Sequence, residues 1–138
     1  MVEVGLTLVI IAIMTAMMVP KISLTIRSNQ TRRSAAIVAA DLERAFTLAA
    51  RYRKPMRLSC VCGSGTYTIA DLAGGTVRVA RNLREDADFG RMTLTFSANP
   101  VDIFPSGISS APNTVQITSG ASTRTIVMTT AGQVRILP

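Results

Sequence analysis

The hydrophobic pattern of the chain begins with an uncharged apolar run. Sixteen residues without a charge extend from Val4 to Val19, between Glu3 and Pro20. At about 1.5 Å of rise per residue, a helix of this length spans roughly 24 Å, whereas a membrane helix usually takes about 20 apolar residues. We interpret the run as an N-terminal membrane helix, in which the missing length comes from Ile22, Leu24 and Ile26 or from residues upstream of the given sequence. A buried helix of a soluble protein is the alternative.

A second apolar pattern continues the helix beyond Pro20. Apolar residues recur at spacings of four, three, four and three, while Asp41 and the other charged residues nearby lie off this stripe. Pro55 disfavours helical geometry at Lys54 and ends the helix, and Pro20 removes one hydrogen bond and bends the axis. We predict one bent helix of about fifty residues, far above the mean of about 12, whose second half packs on a sheet. The stripe consists of Val38, Leu42, Ala45, Ala49 and Tyr52.

From Met56 onward the pattern changes to that of short strands. Seven runs rich in Val, Ile, Thr and Leu are separated by glycine-containing turns and by an irregular stretch that opens at Asn99-Pro100. Close turns between successive strands favour antiparallel sheets that pack on the amphipathic helix. The predicted fold class is therefore α+β, with a long bent N-terminal helix packed on antiparallel β-sheets. The predicted strands are 56–61, 66–70, 76–83, 92–97, 114–118, 123–130 and 133–137.

The positive charge of the chain is concentrated in one segment. Fifteen Lys and Arg residues against eight Asp and Glu give a formal net charge of +7. Residues 21–57 alone hold nine basic and two acidic residues, which is +7, and residues 58–138 hold six and five, which is +1; Glu3 restores the sum. Basic residues that follow an apolar anchor usually stay in the cytoplasm, so charge alone does not favour an outward-facing domain.

Residues that could carry out chemistry are few. The chain has no histidine, which removes the commonest general base and the commonest metal ligand. No nucleophile lies beside a base, so we predict no enzyme activity, no catalytic residue, no cofactor and no metal site. The small acidic cluster of Glu85, Asp86 and Asp88 lies among arginines, and we interpret it as a solvated loop; a calcium site is the alternative.

The two cysteines, Cys60 and Cys62, form a Cys-Val-Cys sequence in a stretch that we assign to a strand. Side chains two residues apart in a strand share a face, with Cα atoms about 6.5 Å apart, near the upper limit of about 6.8 Å for a disulfide. We interpret the pair as two small buried residues, and a disulfide between them is the alternative.

The N-terminus resembles that of type IV pilins and type II secretion pseudopilins, in Val2-Glu3-Val4, in the apolar run and in Pro20, seventeen positions after the glutamate. Those proteins mature by cleavage before an aromatic residue four positions ahead of the glutamate. By this resemblance the chain begins two residues inside the mature protein, and a prepilin peptidase acts on the full-length precursor. The resemblance also implies that Glu3 and Pro20 serve subunit assembly, with Glu3 paired to the N-terminal amine of an adjacent subunit. A carboxylate that lies in the lipid headgroup layer is the alternative.

The C-terminal part resembles the domain shared by GspH-type minor pseudopilins and FimT-type minor pilins. The resemblance is carried by Phe96, by 104–107 (Phe-Pro-Ser-Gly), by 125–128 and by the closing Gly-Gln-Val-Arg of 132–135. It implies a pilin-like fold, with residues 1–26 as the membrane or fibre-core helix and residues 27–138 as the soluble domain. It further implies a structural subunit of a type II secretion pseudopilus or a type IV pilus, single-pass in the bacterial inner membrane, with its domain in the periplasm or on the pilus. The implied partners are other pilins or pseudopilins.

A FimT-like minor pilin that binds DNA for natural transformation is the alternative function. In FimT-type proteins a C-terminal Gly-Arg-x-Arg motif contributes contacts, and here Gln133 replaces its first arginine. We predict that Arg124 and Arg135, on adjacent terminal strands, lie close together and contact phosphates without sequence preference. The alternative is that Arg135 is only the exposed end of a terminal hairpin.

Overall fold

The computed structural model of the chain describes the backbone of residues 2–85 and 92–137, and the side chains of the same residues other than 2 and 17–23. The first element, α1, is an α-helix that extends from Val2 to Tyr52, which confirms the predicted long helix. Its last turn is closed by the amide of Lys54, which donates to the carbonyl of Ala49 at 3.3 Å. Pro55 has no amide hydrogen with which to continue the helix. The bend predicted at Pro20 lies outside the residues whose side chains are described.

The second half of α1 packs through the predicted apolar stripe, except at its last member. Tyr52 is 40% exposed, and its ring packs against the guanidinium of Arg78, whose central carbon lies 4.2 Å from the ring centroid, rather than in the core. The prediction that Tyr52 belongs to the buried stripe is therefore wrong. The buried members of the stripe are Val38, Leu42, Ala45 and Ala49.

Eight strands follow the helix within the described residues. They are β1 (Met56–Val61), β2 (Thr66–Asp71), β3 (Val77–Asn82), β4 (Thr93–Phe96), β5 (Val101–Ile103), β6 (Asn113–Ser119), β7 (Ser122–Met128) and β8 (Val134–Leu137). Strands β3-β2-β1-β5, in that order, form sheet A, and β4-β6-β7-β8 form sheet B. All the pairings are antiparallel, which confirms the predicted architecture.

The sequence pattern missed one strand, β5, which lies inside the stretch that we had assigned as irregular. It has only three residues and pairs with β1, where Asp102 lies opposite Arg57. The two side chains form an ion pair, with Nε of Arg57 2.7 Å from Oδ1 of Asp102. Three residues are too few to display an alternating pattern, so the pairing with a distant strand defines this element.

The core lies between α1 and the inner faces of the two sheets. In β6, Val115 and Ile117 are fully buried whereas Gln116 between them is exposed, as expected for a strand with one face on the core. Burial of one such side chain stabilises the fold by about 1.5 to 3 kcal/mol. Helix α1 makes its contacts with sheet B through β6, β7 and β8, and with sheet A mainly through β1.

The two cysteines are joined by a disulfide, so the interpretation as unbridged residues is wrong. Strand β1 ends at Val61, and the chain then turns through a short 3₁₀ segment at Cys62–Ser64. The turn brings the Cα atoms of Cys60 and Cys62 to 5.1 Å. This separation lies within the usual range for a disulfide, whereas two residues of one continuous strand would lie further apart.

Candidate functional site

The N-terminal segment, by which we mean residues 3–16 of α1, is exposed at every position. Its eight large apolar side chains have exposed fractions between 50 and 63%, and among the described side chains of α1 the first buried one is that of Thr31. The helix therefore projects a continuous apolar surface away from the domain, by which we mean residues 31–85 and 92–137. The eight side chains are Val4, Leu6, Leu8, Val9, Ile10, Ile11, Ile13 and Met14.

Glu3 is exposed near the free end of this apolar surface. It makes no ion pair within the described part of the chain. Within the residues whose side chains are described, no helical stretch is both long and apolar enough to cross a membrane.

The turn between β6 and β7 holds α1 at the point where the helix leaves the domain. The hydroxyls of Thr31 and Ser122 lie 2.8 Å apart and form a hydrogen bond. Gly120 has a φ of +60°, and a Cβ there would lie 2.7 Å from Nη1 of Arg27, so a glycine lets the guanidinium lie against the turn. Sequence reasoning missed these contacts, because they join residues about ninety positions apart and follow no local pattern.

A second attachment joins the middle of α1 to sheet A through a buried carboxylate. Asp41 is only 5% exposed and accepts hydrogen bonds from the hydroxyl of Tyr67 at 2.6 Å and from Nε of Arg81 at 2.7 Å. Burial, followed by the hydrogen bond to Asp41, raises the pKa of Tyr67 well above its usual range. The prediction that Asp41 lies off the buried stripe is therefore wrong. Its position three residues after Val38 was the signal that could have placed it there.

The predicted basic patch of Arg124 and Arg135 does not form. Arg135 lies opposite Val127 in the β7–β8 pairing, and directly opposed residues of an antiparallel pair share a face. Arg124 is three residues before Val127, and side chains alternate along a strand, so the two arginines lie on opposite faces of sheet B. Arg124 is on the face toward α1, with Ile126 and Met128, whereas Arg135 is exposed on the outer face.

The acidic cluster can be described only in part. Glu85 is exposed, whereas Asp86 and Asp88 lie outside the described residues. In the described ranges, no three side chains of the ligating types come together in a way that could hold a metal ion.

The comparisons with known proteins agree with this geometry. The family model described as "Type II transport protein GspH" matches residues 23–132, which is most of the chain. The chain belongs to the GspH family. As a GspH protein it is a structural subunit of the pilin and pseudopilin type and not an enzyme. A search of curated proteins finds no significant match.

Two solved structures share the fold at low sequence identity. The type IV minor pilin FimU of Pseudomonas aeruginosa superposes with a TM-score of 0.63 at 16% identity, over 80% of this chain and 90% of FimU. The minor pseudopilin EpsH from the Type 2 Secretion System of Vibrio cholerae also gives 0.63 at 16% identity, over 78% of this chain and 96% of EpsH. These similarities confirm the predicted pilin-like fold.

Proposed function

We propose that this GspH protein enters a type II secretion pseudopilus or a type IV pilus through its N-terminal segment, which lies in the bacterial inner membrane before assembly. The observation that carries the proposal is the separation of two apolar surfaces on one helix. The stripe from Val38 to Ala49 is buried by the chain's own sheets, whereas the N-terminal segment is exposed.

The energetic reason is the size of the exposed apolar surface. Burying one large aliphatic side chain is worth about 1.5 to 3 kcal/mol, so covering the eight side chains of the N-terminal segment is worth on the order of 10 kcal/mol before the cost of association. Monomeric soluble proteins rarely leave so long an apolar surface in water. Lipid before assembly and the helices of neighbouring subunits after it are both suitable environments.

Glu3 supplies specificity to the otherwise apolar packing of the N-terminal segment against neighbouring subunits. A carboxylate inside an apolar environment is costly unless it has a partner, and Glu3 has no ion-pair partner among the described residues. The N-terminal amine of an adjacent subunit, which the pilin resemblance implies, would supply the opposite charge. Glu3 would then set the axial position of the subunit in the fibre.

The experiment replaces Glu3 with an uncharged side chain of the same shape. In cells that express the gene with its complete N-terminus, Glu3→Gln should abolish recovery of the protein in sheared fibres and leave the thermal melt of the purified protein unchanged. The matched control is Glu43→Gln, since Glu43 is also an exposed carboxylate of α1 but lies along the packed half. Glu43→Gln should assemble normally, and normal assembly of Glu3→Gln would contradict the proposal.

No observation favours DNA uptake over this structural role. That alternative rested on the resemblance to FimT-type proteins and on a patch of Arg124 and Arg135, whose side chains lie on opposite faces of sheet B.

A further inference from the structure

A groove of about 380 Å³ runs between α1 and the free edge of sheet B. Helix α1 contributes Arg32 and Ala36 to its lining, β7 contributes Arg124, and β8 contributes Ile136 and Leu137. This volume lies in the range of ordinary ligand pockets. The groove lies on the domain, away from the N-terminal segment through which the proposed assembly occurs.

The two arginines of the groove have no carboxylate partner in the described part of the chain. The three ion pairs found there use Arg57, Arg78 and Arg81. Arg124 is half-buried and Arg32 is exposed, so both guanidinium groups can be reached from solvent. A guanidinium presents a planar fork of donors that fits a carboxylate through two parallel hydrogen bonds. The groove therefore has the charge and the donors for an anionic ligand.

The edge of the sheet adds a second kind of binding group. Among the described strands, β8 pairs with β7 alone, so the backbone amides and carbonyls on its other side have no strand partner there. Ile136 and Leu137 are each 45% exposed, and because side chains alternate along a strand they leave one large apolar side chain accessible on each face of β8. An extended peptide can add to such an edge through main-chain hydrogen bonds, while its side chains enter adjoining pockets.

We propose that this groove and the β8 edge bind an extended, acidic segment of another protein chain. Its main chain pairs with β8, its carboxylates pair with Arg32 and Arg124, and its apolar side chains cover Ile136 and Leu137. Charge argues against a second copy of this chain as the occupant, because the copy carries a net charge of +7 and like charges across an interface repel. An exposed apolar side chain on each face of β8 argues for an extended peptide, whose own side chains alternate between the two faces, rather than for nucleic acid, whose phosphates gain nothing from apolar side chains.

The test measures binding of a defined peptide to the full chain in detergent micelles. The probe is a fluorescein-labelled octapeptide of alternating glutamate and valine, followed by fluorescence anisotropy. We expect saturable binding, weakened about tenfold by Arg124→Gln or Arg32→Gln, because either change removes a charge-assisted hydrogen bond to a carboxylate of the peptide. Arg44→Gln is the matched control, because Arg44 is an exposed arginine of α1 outside the groove, and it should bind as the unmodified chain does.

Changes in the probe separate strand addition from simple charge attraction. The same peptide with alternate backbone nitrogens methylated keeps its charge but cannot form the ladder, so it should bind at least about tenfold more weakly. Equal binding of the methylated peptide, or equal loss in Arg44→Gln, would overturn the proposal. Two other results would also overturn it. One is that a duplex DNA oligonucleotide binds and the peptide does not, and that Arg124→Gln weakens the DNA binding. The other is that light scattering detects self-association of the chain and that Arg124→Gln abolishes it.

Discussion

The two halves of α1 have the same backbone conformation and opposite surroundings. In residues 3–16 every side chain is exposed, whereas in the packed half Val38, Ala45 and Ala49 are fully buried. Both halves are rich in apolar residues, but the N-terminal segment has a single charged residue, Glu3, whereas charged residues recur along the packed half. The packed half alternates its apolar residues with charged ones on the opposite face, and this one-sided pattern lets it lie on a sheet. The comparison teaches that folding and assembly use separate stretches of the same helix.

The largest expected effect comes from shortening one leucine in each half. Leu42→Ala should lower the free energy of unfolding by about 2 to 5 kcal/mol, because it leaves a cavity in the core, whereas Leu8→Ala should leave it unchanged. Denaturant unfolding of the full chain in detergent, followed by the loss of the β-sheet signal, measures both. A comparable loss in Leu8→Ala would mean that the N-terminal segment supports the domain, and the comparison would fail.

A smaller effect is expected at the buried carboxylate that joins α1 to sheet A. Asp41→Ala leaves the hydroxyl of Tyr67 and the guanidinium of Arg81 without this acceptor, and removing one partner of a buried hydrogen bond costs about 1 to 3 kcal/mol. Glu43→Ala, at an exposed position of the same turn, should change stability by less than about 0.5 kcal/mol. Equal effects at the two positions would show that Asp41 is not a special attachment.

The smallest expected effect is the response of the domain to acid. The hydrogen bond from Arg78 lowers the pKa of Asp71, and the hydrogen bond from Arg57 lowers that of Asp102. A lowered pKa in the folded state contributes stability above the unfolded pKa of about 3.9, and this contribution is lost as the pH falls through the folded pKa. The melting temperature of the domain should therefore drop below about pH 4.

The acid loss can be assigned with variants of the two arginines. Arg57→Gln and Arg78→Gln remove the groups that lower the two carboxyl pKa values, so each should flatten the decrease in melting temperature between pH 6 and pH 2. The N-terminal segment contains a single acidic residue, Glu3, and no basic one. The helical signal of this segment in detergent should therefore persist between pH 6 and pH 2. An equally steep decrease in both variants would assign the acid sensitivity to other groups.

Local patterns were enough to predict most of the secondary structure. The stripe of α1 and the alternating runs of β1, β2 and β6 repeat within one element, so they can be seen in the sequence itself. The same pattern gave a wrong prediction for Tyr52, because the helix ends there and the ring contacts Arg78 of a different element. The sequence pattern did not predict strand β5, because a strand of three residues is defined by its pairing with another strand.

The candidate sites depended more strongly on tertiary structure. Glu3 and the apolar segment are visible in the sequence. The segment has no polar face opposite an apolar one, so its pattern does not predict packing on the sheets. The spacing of Asp41 from Val38 indicates the packed face, but its partners Tyr67 and Arg81 belong to elements distant in the chain. The hydrogen bond of Thr31 to Ser122 also joins distant elements. Neither the residue types nor their spacing along one element predicts such contacts.

The sequence by itself determined that the chain has one long helix with two different surfaces, followed by antiparallel strands, because these properties follow from periods of 3.6 and 2 residues. The tertiary structure decided which charged side chains meet. Arg124 and Arg135 are close in sequence and lie on adjacent strands, yet the hairpin closed by the amide of Gly132 on the carbonyl of Thr129 puts them on opposite faces. A shift of one residue in that register would have brought them to one face. The same register places Arg124 in the groove with Arg32, a residue 92 positions earlier in the chain.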